Sequence, residues 1–418
     1  MKIVIVNAHS FHNLGDAAIL QTMVDSLCQE FPSCEIVVCS DTPEKDQTAY
    51  KDVRVLGIDY PWLKVPSYLK RLVSIFFHIR FWLNIFLHKS GFKKVVPLQH
   101  DALLLIDEIA SADLVVSCGG GYINSLGKLF TRISHIYAGI IFGKPTVLYS
   151  QSVSDLRSFW HRWLVAFVIN RCDLFVAREK QTLEYLHFLG VSDEKVRLHA
   201  DSAFLQGFVK KGVGEDLLAD VAPLAKRKIG MTITRWSFPG HDNPEQLFKH
   251  YIDSIHRLTS VVISELDCDL YIFPQVTGPN RYSDDRVTAK EIFSQFDTER
   301  IHLLEKEYSP EQLKGMIACM DLFVGTRMHS NIFALGAQVP TLAIAYQEKT
   351  IGIMRELGLE RWVLDINTID SNSLVVKIVA LWEDRDNIAL KLHKLIPEIV
   401  QSARMPAQLC REIYERKR

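Results

Sequence analysis

Several features that would assign a class at once are missing from this 418-residue chain. Its eight cysteines form no C-x-x-C pair, its basic side chains do not outnumber its acidic ones, and no apolar run is both long and charge-free. Cysteines scattered through apolar stretches argue against a zinc site or a disulfide framework and read as buried free thiols. With 48 basic and 49 acidic residues and a net charge of −1, the basic surplus of a nucleic-acid binder is absent. Neither G-x-G-x-x-G nor G-K-[ST] occurs after a strand, so dinucleotide and P-loop nucleotide binding are unsupported. The opening MKIVIVNAHS has only a short apolar run, Ile3 to Val6. That run reads as a buried strand rather than a secretory leader, and the expected location is the cytoplasm.

What is present is alternation. Short apolar runs, expected as strands at 3–7, 35–39, 113–118, 146–150, 174–177 and 195–198, alternate with amphipathic stretches at 14–30, 99–110, 126–141, 156–170 and 180–189. The pattern lapses over 206–227, rich in Gly, Pro and charge, which reads as an inter-domain connection. It then restarts, with strands at 229–234, 270–274, 301–304, 322–325, 341–345 and 362–364 and helices from 244, 283, 310, 331, 350 and 371. The expected class is α/β: two Rossmann-like domains with mostly parallel sheets facing across a cleft, a GT-B-like plan. The first would span 1–207 and the second 228–390, with C-terminal helices over 391–418 packing back on the first.

One segment breaks the alternation. Residues 61–94 are dense in aromatic, aliphatic and basic side chains and contain no acids. Lys70, Arg71, His78 and Arg80 make Tyr68 to His88 a poor bilayer span. Two readings remain: a helix lying in a membrane interface, or a helix packed on a neighbouring domain or subunit.

Ligands of open α/β sheets sit beyond the carboxyl ends of strands, so strand-end residues are the candidates. NAHSFHNLGDAAIL places His9, His12, Asn13, Gly15 and Asp16 between a strand and a helix, with Asn13 and Asp16 spaced as a capping box or facing a ligand. VVSCGGGYIN sets Gly119, Gly120 and Gly121 where backbone N–H groups could meet an anion or hydroxyls. Arg178 and Glu179 form either a local ion pair or an anion-binding corner, and Asp201 ends another strand. Arg235, Gln275, Asp284 and Asp285 follow strands of the second half. The paired aspartates read more cheaply as an N-cap with an acidic first turn than as a metal site.

The richest stretch is DLFVGTRMHSNIFALG, 321–336. Arg327 puts a permanent cation at the positive end of a helix, which is unfavourable unless an anion binds there. Lys349 follows the next strand, and with Ser330 and the helix amides the group suits a phosphate or carboxylate. His329 in that field should have a lowered pKa unless the bound anion restores it.

These stretches in this order, NLGDAAIL, CGGGYI, AREKQTLEYL, DSAF, PQ followed by DD, and GTRMHSNIFALGAQVPTLAIAYQEK, resemble the polysaccharide pyruvyl transferase family from Asn13 to about Gly358. Ser154 and Asp155 stand where the family often has Gly-Pro. The resemblance implies transfer of a pyruvyl group from phosphoenolpyruvate to hydroxyls of a cell-surface sugar, forming a ketal. It implies no cofactor, no metal and no nucleic acid, with a glycan or lipid-linked sugar as acceptor. On that basis Arg327, Lys349, Arg178 and Arg235 would clamp the donor, with Asn13, Gln275, Ser330 and Gly119 to Gly121 lining the site. His329 would protonate the methylene carbon and Asp16 or Glu179 would act as base. The enzyme would then work on the inner face of the plasma membrane, with Tyr68 to His88 in peripheral contact. The alternatives are a GT-B glycosyltransferase using a nucleotide sugar, with Asp284 as ribose ligand, and a non-catalytic glycan-binding or assembly protein. Oligomeric state and acceptor identity are not legible.

Overall fold

The computed structural model describes every residue except 10, 51–52, 58–59, 61–63 and 126–127. Its contacts divide the chain into two units: Met1–Phe11, Ile19–Ser202 and Arg404–Arg418 in the first, His12–Ala18 and Ala203–Ala403 in the second. The short piece His12–Ala18 thus belongs with the second unit although it follows the first strand of the chain.

The first unit is built on β1 (Lys2–Ala8), β2 (Glu35–Ser40), β3 (Arg54–Gly57), β4 (Leu114–Ser117), β5 (Gly120–Ile123), β6 (Thr146–Val153), β7 (Leu174–Ala177) and β8 (Val196–Leu198). The order is β3-β2-β1-β4-β6-β7-β8, with β5 added on β6, and the described pairings are parallel. Strands such as β1 and β4 are Val/Ile/Leu-rich and buried along nearly their whole length, as a parallel sheet covered on both faces requires. Around them lie α1 (Leu14–Glu30), α2 (Pro43–Ala49), α3 (Ser67–Lys89), α4 (His100–Ser111), α5 (Leu129–Ile141), α6 (Phe159–Ile169) and α7 (Lys180–Phe188). The expected start of α5 at 126 falls outside the described residues.

The second unit contains α8 (Lys211–Ala219), β9 (Lys228–Thr232), α9 (Pro244–Ser264), β10 (Asp269–Ile272), α10 (Asp285–Phe293), β11 (Ile301–Leu303), α11 (Pro310–Ile317), β12 (Leu322–Gly325), α12 (Met328–Gly336), β13 (Thr341–Ala345), α13 (Glu348–Glu356), β14 (Val363–Asp365) and α14 (Ser371–Lys417). Its parallel order, β11-β10-β9-β12-β13-β14, is the Rossmann order 3-2-1-4-5-6, which reverses between β9 and β12. The expected α/β class of two parallel sheets with helices is what the chain adopts.

Several details differ from the sequence reading. The stretch 206–227 is not a bare connection: it carries α8, packed on α11. Lys314 of α11, almost fully buried, donates to the carbonyls of Phe204 and Gln206, and burial lowers its pKa to about 8. The segment after Leu392 is a continuation of α14 through Pro397 and Pro406 rather than separate helices. Its last turns belong to the first unit, where Arg411 pairs with Glu30 at 2.8 Å and Lys417 with Asp173 at 2.7 Å. The glycines of CGGGYI lead into β5, not into a helix. Cys28 is exposed, whereas six of the other cysteines are buried.

Helix α3 has two different faces. Phe77, His78, Phe81, Asn84 and Ile85 are buried against α4 and α5, and His78 Nε2 lies 3.0 Å from the Thr131 hydroxyl. Tyr68, Leu72, Ile75, Phe76, Ile79, Leu83 and Phe86 are exposed. Among the described residues no helix is long and apolar enough to cross a membrane.

Candidate active site

In the second unit the strand order reverses between β9 and β12, and polar residues gather at their carboxyl ends. Helix α12 begins three residues earlier than its sequence suggests, so Arg327 is its N-cap and His329 and Ser330 lie in its first turn. The Ser330 hydroxyl donates to the Arg327 carbonyl at 2.7 Å and meets Thr232 Oγ1 at 2.8 Å. Thr326 donates from its amide to Thr232 Oγ1 (3.1 Å) and from its hydroxyl to the Thr232 carbonyl (2.9 Å). Ser330 therefore ties β9 to α12 through a hydroxyl engaged within the fold.

Arg327 is not waiting for an external anion, as the helix-dipole logic suggested. Its Nη2 donates to Asp285 Oδ1 at 2.6 Å, and Asp285 is 2 % exposed. The other oxygen of Asp285 accepts from the amides of Gln275 (3.1 Å) and Val276 (2.9 Å). Burial pushes the Asp285 carboxyl up, against the pull of Arg327. For Arg327 burial acts downward, but Asp285 and the Tyr346 hydroxyl hold its pKa above the ordinary value. The two aspartates thus divide their work. Asp284 is the N-cap of α10, accepting from the Arg286 amide at 2.9 Å, while Asp285 is the counter-ion of Arg327. Among the described residues the Arg327 Nε is buried without a hydrogen-bond partner, and so are both ends of the Gln275 side-chain amide. Gln275 is 1 % exposed, and a buried amide left unsatisfied is a costly arrangement that a ligand or water can relieve.

His12–Ala18 completes this cluster. Asn13 bridges Val276 in antiparallel fashion, the Leu14 amide donates to the Gln275 carbonyl at 3.0 Å, and the Thr277 amide to the His12 carbonyl at 2.8 Å. The Asn13 side chain accepts from the Gly15 amide (3.1 Å) and donates to Asp16 Oδ2 (2.9 Å). Gly15 was expected to admit a ligand to the backbone. Instead it admits His329: a Cβ built at Gly15 would lie 2.5 Å from His329 Cβ and closer still to Nδ1 and Cγ. Lys349 stands in the first turn of α13, after the strand that neighbours β12. Arg235 is committed elsewhere, pairing with Glu291 at 2.7 Å.

In the first unit the reversal lies between β1 and β4. Arg178, 1 % exposed, donates from Nη1 to Asp201 (2.8 Å) and from Nε to Ser152 (2.7 Å), and lies 3.4 Å from Glu179. Glu179 accepts from Ser152 at 2.9 Å and from Thr182. Two carboxylates already offset this guanidinium and both Glu179 oxygens accept hydrogen bonds, so the corner is a buried ion-pair network, in which Arg178 Nη2 has no hydrogen-bond partner among the described residues. Gly119 and Gly120 are likewise structural. A Cβ at Gly119 would lie 2.7 Å from Ile19, and Gly120 has φ +148°. The Gly121 carbonyl accepts from Asn124 at 3.0 Å.

Beside His9, already a candidate, the same edge holds Asp41, Lys128, Arg132 and His135, which the sequence alone does not single out. Arg132, in the first turn of α5, pairs with Asp41 at 2.5 Å; Lys128 lies 3.6 Å from Asp41 and 3.8 Å over the Tyr60 ring. Burial works against ionisation of Asp41, yet Arg132 and Lys128 hold its carboxyl below the usual range. His135 Nδ1 meets Asn7 Oδ1 at 2.9 Å, and His9 stacks edge-on to Tyr122. Burial, followed by the nearby Arg132, lowers both histidines to about 3. The available signal was Arg132 and His135, two polar side chains three residues apart on a largely apolar helix. Among the described residues no three His, Cys, Asp or Glu side chains gather as a metal site.

Two Rossmann-type parallel sheets, each with polar groups gathered at its strand reversal, define a GT-B-like α/β protein. The fold is shared with Anabaena HepE solved with UDP-glucose (TM-score 0.59, 14 % identity, 99 % of this chain and 98 % of that one). It is shared too with the UDP-GlcNAc 2-epimerase of Methanocaldococcus jannaschii (0.57, 11 %, 91 % and 92 %). The chain belongs to the polysaccharide pyruvyl transferase family, whose model matches residues 13–348. It is also 25 % identical over 411 residues to the amylovoran biosynthesis protein AmsJ of Erwinia amylovora, covering 95 % of this chain and 96 % of AmsJ. Family and relative together give it a role in polysaccharide modification.

Proposed function

We propose that the protein transfers the pyruvyl group of phosphoenolpyruvate to two hydroxyls of a polysaccharide or lipid-linked sugar, releasing phosphate. The observation that carries this reading is the second-unit cluster: a guanidinium oriented by Asp285, the first-turn amides of α12, a buried unsatisfied Gln275 amide and His329 held against Gly15. Such a set suits a ligand with both an anionic and a polar end. The donor's phosphate or carboxylate would meet Arg327, the α12 amides and Lys349. His329 would deliver a proton to the methylene carbon, turning it into a methyl group and leaving C2 electrophilic. One sugar hydroxyl then forms a bond to C2 and loses its proton to a base, for which Asp16 is the candidate in this cluster. A second hydroxyl attacks C2, the C2–O bond to phosphate breaks, and its proton leaves with the phosphate. Membership of the family and the exopolysaccharide relative support this reading.

The test is release of phosphate from phosphoenolpyruvate in the presence of a panel of cell-envelope sugars. Turnover with at least one acceptor is expected. Release with none, alongside hydrolysis or transfer from a nucleotide sugar, overturns the proposal in favour of a glycosyltransferase, the reading that the UDP-glucose complex of HepE keeps in view. His329→Ala should abolish turnover while calorimetry still detects phosphoenolpyruvate binding. Joint loss of both would make His329 a binding residue.

A further inference from the structure

The outward face of the first unit's helices is unlike the rest of the molecule. On α3 the exposed side chains Tyr68, Leu72, Ile75, Ile79, Leu83 and Phe86 follow one another at intervals of four or three residues, so they form a single stripe along the helix. Phe76, 59 % exposed, widens it. At about 100° per residue, Arg71 and Lys89 fall on one margin of the stripe and Arg80 on the other; all three are exposed. Beside it an open groove of about 780 Å³ is lined by Arg71, Trp82, Phe130 and the stripe itself.

The apolar surface continues onto α6. Ring contacts run from Phe86 to Trp82, Tyr137, Phe167, Trp163, Trp160 and Phe159, ending on Trp160 and Phe159, which are 71 % and 67 % exposed. Charge follows the same boundary. Helices α3, α5 and α6 contain no Asp or Glu at all, nor does any position from 60 to 100, although the chain has 49 acidic residues. Their charged side chains are basic, and Arg162 lies among the exposed aromatics of α6, while Arg157 just before that helix is paired with Asp155.

We infer that this face docks on an anionic phospholipid bilayer, with α3 lying in the interface, the stripe in the acyl boundary, and Arg71, Arg80 and Lys89 reaching lipid phosphates. Apolar side chains margined by long cations, with aromatic amphiphiles beside them, are what an interfacial helix needs. The charge pattern also selects against a second copy of the chain as the occupant. A two-fold contact sets a patch against itself, which here would oppose cations with no acid in α3, α5 or α6 to pair them. This inference is independent of the reaction proposed above, because it concerns where the protein sits and not what its second unit transfers.

The experiment is flotation of the full-length protein with vesicles of phosphatidylcholine alone or with about one third phosphatidylglycerol. Binding is expected to the anionic vesicles and to weaken as salt rises. The pair Phe76→Ser/Ile79→Ser should lose at least about tenfold in partitioning, and Arg71→Gln/Arg80→Gln should lose the preference for anionic lipid. Thermal unfolding checks that each variant is folded, and Trp160→Ser, on a separate helix, supplies an independent variant. Wild-type protein that stays unbound at low salt overturns the inference. So does undiminished flotation of all variants, or a dimer in sedimentation that Phe76→Ser/Ile79→Ser dissolves while vesicle binding is absent.

Discussion

Gly15→Ala is the sharpest perturbation the structure offers, because the added carbon would overlap one named side chain. The new Cβ would sit 2.5 Å from His329 Cβ and closer still to its Nδ1 and Cγ, where ordinary contact starts at 3.4 Å; the ring must therefore retreat by at least about 1 Å. Overpacking of that kind costs about 1–3 kcal/mol, and a shift of about 1 Å in a reacting group costs about a hundredfold in rate. The control is built into the geometry. With His329→Gly the ring and the Cβ that the new carbon would meet are both gone, and Gly15 lies in the first turn of α1, where Ala is the better helix former by up to about 1 kcal/mol. Gly15→Ala should then be neutral or stabilising. A double-mutant cycle by urea unfolding measures the sign change, and phosphate release from phosphoenolpyruvate measures the kinetic part. Equal destabilisation in both backgrounds, or a silent substitution in the wild type, would refute the claim that Gly15 exists to seat His329.

Two further outcomes follow from buried charge. Asp285→Asn removes the counter-ion of Arg327 and one of the acceptors that hold the Gln275–Val276 backbone. The loss should be about 3 kcal/mol, the low end for breaking a buried pair because Arg327 keeps one exposed edge, and a urea midpoint shift worth under about 1 kcal/mol would dismiss Asp285 as a latch. His9 and His135 are held neutral in the fold, at about 3 against 6.5 in the open chain. The unfolded chain therefore takes up protons first: their contribution is complete above pH 6.5 and erodes as pH falls towards 3. At pH 5 each removes about 2 kcal/mol of stability. His135→Gln should shrink the difference in unfolding free energy between pH 7 and pH 5 by about that amount; an unchanged difference means that His135 does not carry it.

The strands were legible because parallel strands covered on both faces are written as short Val/Ile/Leu runs, and β7, β12 and β13 begin and end where those runs do. Elements with a weaker apolar signature were not. β3 is an edge strand with α2 packed on it, and β5 is half glycine, so neither periodicity nor composition marks them. The candidate site was half visible. Residue type and strand-end position pointed to Arg327, His329, Gln275 and Asn13, all of which the fold gathers in the second unit. Partnership was invisible, since it depends on distant positions: Asp285 is 42 residues from Arg327, and Arg132 is 91 from Asp41. Arg178 and Glu179 show the same limit. Their strand-to-helix corner looked equally like a clamp and an ion pair, and only Asp201 and Ser152 decide for the pair.

Arg327 is where local logic and tertiary structure diverge most usefully. A cation at the N-terminus of α12 does require an anion, and the fold supplies one from α10. Paired in this way, the guanidinium contributes less net charge to an incoming ligand but arrives with its plane already fixed, so less side-chain freedom is lost on binding. Attraction for a phosphate or carboxylate then falls more heavily on groups that carry no compensating carboxylate of their own: the first-turn amides of α12 and the buried Gln275 amide. That arrangement favours a ligand recognised by shape and hydrogen bonding at the strand reversal over one drawn in by bulk charge. It is also consistent with a chain whose 48 basic and 49 acidic residues nearly cancel.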